Sequence, residues 1–188
     1  MTTWSDLVDG RLDVVRASGQ WRSIRALDGG GPVFSLDDGR EVVSFASNDY
    51  LGLSQHPAVR SAAVAAIGRW GTGSGSARLI VGDRPVHRAL ESELARWRHC
   101  EAALLFPTGF AANLGVVTAL GQAGVLIVSD ELNHASIIDA ARLARADVVI
   151  ARHADVDHVV ELLRRHRGPA MVVSETVFSM DGDVAPVA

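Results

Sequence analysis

The chain has 188 residues, with 18 Arg and no Lys against 22 Asp plus Glu, and a formal net charge of −4. Hydrophobic residues make up 48% and charged residues 21%, which excludes a disordered chain, and the mild acidity excludes a general nucleic-acid binder. The single cysteine, Cys100, excludes an internal disulfide or a Cys-rich zinc module, and the missing lysine excludes a side-chain Schiff base or a complete P-loop.

The segment 4–27 reads as one helix, with Leu7, Leu12, Val15 and Trp21 set among Asp and Arg. Gly29-Gly30-Gly31-Pro32 interrupts it. Residues 33–36 and 41–45 then flank Asp37-Asp38-Gly39-Arg40, and Asp-Gly between two apolar runs predicts a hairpin. Pro57 suits the first turn of a helix over 58–70 that stops at Gly71. A Gly/Ser loop follows at 71–76. Pro85 opens a second helix, where Val86, Leu90, Leu94 and Trp97 recur at helical spacing.

Beyond it the chain alternates. Strands are predicted at 102–106, 125–129, 148–151 and 170–174, and helices at 110–120, 137–146 and 156–167. Strands apolar on both faces and separated by helices imply an α/β fold, a mostly parallel sheet with helices on both faces. Ligands in such sheets sit at the carboxyl ends of the strands, here just after Phe106, Ser129 and Ser174. No apolar run approaches the roughly 18 residues needed to span a bilayer. The acidic, amphipathic start and the lone cysteine suggest a cytoplasmic protein without a membrane partner.

Each strand-end loop carries polar groups. Pro107-Thr108-Gly109-Phe110 leads into a helix whose N-terminus suits a phosphate, although the same residues also make a plain strand-to-helix turn. His134 precedes the next helix, either as a flat ring for a cofactor or substrate carboxylate or as a helix cap. Glu175 to Asp183 forms a third polar cluster. The loop Gly73-Ser74-Gly75-Ser76 fails the dinucleotide frame and follows a helix, so it is either a close approach to a ligand or partner or a flexible link. His153, His158 and His166 lack metal-ligand spacing and read as helix-surface histidines; no metal is expected.

Five motifs then occur together and in order. They are Ser47-Asn48-Asp49-Tyr50-Leu51-Gly52-Leu53, the Gly/Ser loop running into Arg78, Thr108 to Asn113, Asn133-His134-Ala135-Ser136, and Glu175 to Asp183. In these the sequence resembles the α-oxoamine synthases, PLP-dependent enzymes of the aspartate-aminotransferase fold (type I). The resemblance implies pyridoxal 5'-phosphate as cofactor. Its implied partners are an amino acid and an acyl-CoA or acyl carrier protein thioester, condensed with release of CO₂ by a homodimer.

By the same resemblance, Gly109 and Phe110 lie at the cofactor phosphate. His134 stacks on the pyridine ring, faces the substrate carboxylate and is the catalytic residue present, while Ser179 hydrogen-bonds the cofactor. Arg22 and Asn48 are implied on the substrate side. The expected organisation is a helix-and-hairpin segment over 1–46 and the front part of a PLP-binding large domain over 47–188. The family's lysine, its pyridine-pairing aspartate and its C-terminal small domain are expected beyond residue 188. A truncated, inactive synthase is therefore one expectation; a non-catalytic phosphate-binding or subunit-pairing module is the other.

Overall fold

A computed structural model describes residues 2–187, in two compact units, one running up to Gly82 and the other starting at Asp83. This compactness boundary falls 36 positions after the motif boundary read at 46/47 (82 minus 46).

In the first unit, α1 (Trp4–Ala17) is capped by Thr3, whose Oγ1 accepts the Asp6 N–H at 3.1 Å while the Asp6 carboxylate accepts the Thr3 N–H at 2.8 Å. The helix is ten residues shorter than expected. Ser18 caps it, and Gly19 takes a left-handed φ of 69°, so residues 21–27 leave the helix and Arg22 lies outside it, exposed. The hairpin forms as read: β1 (Val33–Ser35) pairs antiparallel with β2 (Glu41–Val43), with Phe34 opposite Val42. Asp38 accepts the Arg40 N–H at 3.1 Å, and Gly39 sits at φ 81°. α2 (Pro57–Trp70) begins on Pro57, with the His56 side chain accepting the Ala58 N–H. A single π-helical turn, Arg78–Gly82, closes the unit where no element was read.

The second unit holds α3 (Pro85–Trp97), α4 (Gly109–Leu120), β3 (Leu126–Asp130), α5 (Ala135–Leu143), β4 (Asp147–Ala151), α6 (Val156–Arg164) and β5 (Ala170–Val173). The strands form a parallel sheet in the order β4-β3-β5. The path leaves β3 for one neighbour, then crosses back to the other, so both edges of β3 are paired. Residues 102–106 were read as a strand, but among the described residues they form no ladder. They pair with none of the three strands, although the outer edges of β4 and β5 carry no partner among the described residues.

The sequence of β3 explains its position. All five residues, Leu-Ile-Val-Ser-Asp, are buried. Side chains alternate across a strand. Ile127 therefore faces one layer, packing with Val117 of α4 and Ala140 and Ala141 of α5. Leu126 and Val128 face the other, against Val159, Leu162 and Leu163 of α6. Gly121 ends α4 where only a hydrogen fits: a Cβ there would stand 2.6 Å from the Val117 carbonyl oxygen and 2.9 Å from Ile127 Cδ1.

Ile127 is fully buried at this contact. Ile127→Ala should cost about 2–5 kcal/mol in urea unfolding. Leu143→Ala on the exposed side of α5 should stay within about 0.5 kcal/mol. Equal losses for the two variants would contradict the placement of the core.

Candidate functional site

The carboxyl ends of β3 and β5, neighbours in the parallel sheet, are bonded to each other. Asn133 is buried just past β3; its Nδ2 donates to Ser129 Oγ at 2.9 Å and to the Val173 carbonyl, at the end of β5, at 2.8 Å. The neighbouring His134 N–H donates to the Glu175 carboxylate in the loop after β5. This crevice outside parallel strands is the expected binding position in an open α/β sheet.

His134 caps α5. Its Nδ1 accepts the Ser136 N–H at 3.1 Å and lies 2.7 Å from Ser136 Oγ. A ring nitrogen that accepts a backbone N–H carries no proton, so the neutral ring keeps its proton on Nε2. Ser136 is buried and in turn accepts from Asn113 Nδ2 of α4 at 2.9 Å. Asn113, Ser136 and His134 thus form one chain of hydrogen bonds from α4 to the exposed imidazole.

The amino end of α4 presents free backbone N–H groups. Thr108 Oγ1 accepts the Ala111 N–H at 3.0 Å, and the Thr108 carbonyl accepts the Ala112 N–H. The N–H groups of Gly109 and Phe110, the first two of the helix, have no intrahelical acceptor and lie at the positive end of its dipole. A Cβ built on Gly109 meets nothing within 4 Å, so the space outside this turn is open. These residues fit a phosphate held on backbone N–H groups.

Ser179 follows the buried Phe178 in a tight hairpin turn after β5, exposed at its tip. Val177 bridges Val184, the Phe178 N–H donates to the Asp183 carbonyl at 2.9 Å, and the Gly182 N–H donates to the Phe178 carbonyl at 2.9 Å. Gly182 has φ 75°, which suits glycine in this turn. Arg22 and Asn48 belong to the first unit; Asn48 Oδ1 there accepts the Tyr50 hydroxyl. In the same stretch Asp49 accepts Ser54 Oγ at 2.6 Å and the Ser54 N–H at 3.2 Å, which together lower its pKa.

One part of the site escaped the sequence reading. His153 is not on a helix surface. It lies in the loop after β4, with Nδ1 2.9 Å from Asp130 Oδ1 and Nε2 2.6 Å from Asp183 Oδ2. Its ring stands edge-on to Phe178, 4.4 Å between centroids. Hydrogen bonds donated to Asp130 and then to Asp183 raise its pKa above the ordinary 6.5. Burial pushes Asp130 up, but the N–H groups of Leu132 and Ala154, together with His153, outweigh it and hold the carboxyl below 3.8. His158 sits in α6 and accepts the Arg152 N–H, while His166 lies past the helix end. The rule that singled out the other loops would have found His153, since it lies two positions beyond the end of β4.

Among the described residues no helix is long and apolar enough to cross a membrane. Known proteins give this fold and site a family. An 8-amino-7-oxononanoate synthase of Thermoanaerobacter pseudethanolicus is 43% identical over 183 residues, and one of Geobacter sulfurreducens 46% over 182. Each alignment covers 96% of this chain and 46% of the relative, so the chain spans about half the length of these proteins. Among solved structures, a serine palmitoyltransferase of S. paucimobilis with a bound PLP–myriocin aldimine superposes with TM-score 0.85 at 27% identity, covering 96% of this chain and 46% of that one. The serine palmitoyltransferase of Sphingomonas wittichii gives 0.84 at 31% over the same shares. PLP is the cofactor of the family. Residues 40–188 match the family described as aminotransferase class I and II, and the chain belongs to it.

Proposed function

We propose that this chain supplies the phosphate- and ring-binding part of a PLP-dependent acyltransferase of the 8-amino-7-oxononanoate synthase type, acting in biotin biosynthesis. The reaction joins the L-alanine Cα to the thioester carbon of pimeloyl-CoA, or its carrier-protein equivalent. The thiol and CO₂ leave, and a proton returns to Cα. The observation that carries the reading is the Asn113–Ser136–His134 chain, which ties the first turns of α4, the helix that opens at Gly109, to the imidazole beyond β3. The 8-amino-7-oxononanoate synthases at 43% and 46% identity favour this member over other α-oxoamine synthases. The serine palmitoyltransferase neighbours keep that type, with glycine C-acetyltransferase and 5-aminolevulinate synthase, as the alternative.

When bound, the cofactor supplies an electron sink for a carbanion at the amino-acid Cα. On this reading the N–H groups of Gly109 and Phe110, with the α4 dipole, hold its phosphate. His134 offers a flat face to the ring and an Nε2–H to a carboxylate, its tautomer fixed by Ser136. Ser179 offers a hydroxyl, and Arg22 and Asn48 serve the substrate side, in a homodimer. The 188 residues contain no lysine, so the amine that holds the cofactor and moves the Cα proton comes from polypeptide outside them. Arginine stays protonated and cannot replace it.

Gly109→Val tests the phosphate end: its Cβ meets no protein atom within 4 Å, so the added bulk grows into the space where a phosphate would approach. PLP uptake by equilibrium dialysis should weaken at least about tenfold, some 1.4 kcal/mol. Unchanged uptake would count against the site.

The chain alone should release no CoA from alanine and pimeloyl-CoA. Borohydride reduction with PLP should leave no pyridoxyl group on any side chain. Turnover, or an adduct mapped to a side chain by mass spectrometry, would refute this division of labour.

A further inference from the structure

His153 belongs to none of the motifs that carry the functional reading, yet it joins three segments of the second unit. One ring nitrogen meets Asp130 at the end of β3, the other meets Asp183 at the base of the Ser179 hairpin, and the ring edge meets Phe178 within it. Its own N–H donates to Glu131 Oε1 at 2.9 Å, which fixes the backbone of the loop after β4 to the loop after β3.

The protonation state follows from this geometry. Both ring nitrogens face carboxylate oxygens, and a carboxylate only accepts. A neutral imidazole has one N–H and would turn a lone pair toward the second carboxylate; the imidazolium satisfies both. Among the described residues, His153 makes the one hydrogen bond to the Asp183 carboxylate, whose Oδ1 is buried without a partner. Asp130 is differently placed, since the N–H groups of Leu132 and Ala154 also hold it, each at 2.9 Å. Asp130 is thus the fixed end of the bridge, and Asp183 the end that depends on the histidine.

We propose that His153 is a positioning residue, an imidazolium bridge that fixes the 177–184 hairpin to the carboxyl edge of the sheet and so sets the place of the Ser179 hydroxyl. The catalytic relevance of that hydroxyl rests on the function proposed above; the bridge itself does not.

The charged groups around the ring are few. Asp130 and Glu131 come from the end of β3 and its loop, and Asp183 from the hairpin. In the ring's own loop, Arg152 and Asp155 pair with each other at 2.7 Å, and His158 accepts the Arg152 N–H. The net environment favours the cation. The raised pKa gives the sign: the bridge is complete below 6.5 and is lost as pH rises through the higher folded value.

The test is a pH titration of the whole isotope-labelled chain by NMR, following the His153 ring nitrogens and the Ser179 and Gly182 amides, with PLP uptake measured in parallel. The ring midpoint should lie above 6.5, and both amides should shift with that same midpoint. Asp183→Asn should lower the midpoint and shrink the amide response. His153→Gln should abolish the response; should that variant not fold, Asp183→Asn carries the comparison. Amides that do not follow the ring would overturn the bridge, whether or not PLP binds. If the amides follow the ring while the wild-type chain takes up no PLP, the cofactor reading fails and the positioning role stands.

Discussion

The carboxylate of Asp130 is the contact on which the strand-end loops depend. It is buried at the last residue of the strand that is paired on both edges and covered on both faces. A charge so placed is costly unless it is fully hydrogen-bonded. Here it accepts two backbone N–H groups, from loops after two different strands, and a histidine ring. Each acceptor bond that makes the burial tolerable also fixes a loop, so desolvation and geometry are solved together. Ala154, which supplies one of those N–H groups, holds a left-handed φ of 51°, an uncommon state for alanine. That backbone cost is offset where the same N–H completes the carboxylate's shell.

Asn133 plays the neutral counterpart on the other side of β3. Its amide donates twice, to Ser129 Oγ and to the Val173 carbonyl. A carbonyl can only accept, so the amide orientation is determined rather than chosen. Asp130 thus ties β3 to the loop after β4, and Asn133 ties it to the end of β5. The next residue, His134, starts from a backbone already held on both sides. A side chain on a fixed backbone needs few further contacts to be oriented. Ser136 and Asn113 supply them, and they bring α4 into the same network.

Local signals carried most of this fold in the sequence. Pro57 and Pro85 marked helix starts, Asp38-Gly39 marked the hairpin, and the apolar run before Asp130 marked the buried strand. What failed was non-local. Residues 102–106 have strand composition, but strand formation depends on a paired neighbour, which composition cannot report. The first helix was overextended to residue 27 because Trp21 fits its periodicity; Ser18 and Gly19, the terminating pair, carry a weaker signal than an apolar stripe. Of the candidate site, Gly109, Phe110 and His134 could be singled out because they stand at helix starts, whereas Ser179, six positions past β5, was named only through the resemblance. His153 was missed although it stands just past a strand end. Its significance comes from Asp130 and Asp183, 23 and 30 positions away, and no spacing rule joins residues at such distances.

The basic residues divide by chemistry in the same way. All eighteen basic side chains are Arg, and several serve as short-range partners on helices, as Arg16 does for Asp13, Arg96 for Glu93 and Arg142 for Asp139. Lysine could fill those exposed places with little change, because such pairs contribute at most about 1 kcal/mol. Arginine is therefore an adequate substitute everywhere that charge alone is needed. It is no substitute where an amine must lose its proton and form a bond, since the guanidinium holds its proton above pH 12 or so. Within the second unit, the groups gathered at the sheet edge are backbone N–H donors, carboxylates, two imidazoles and hydroxyls. They can hold an anion, orient a ring and polarise an acceptor. None can become a primary amine nucleophile. The proposed reaction needs both sets of groups, and these residues are suited to binding and orientation rather than to amine chemistry.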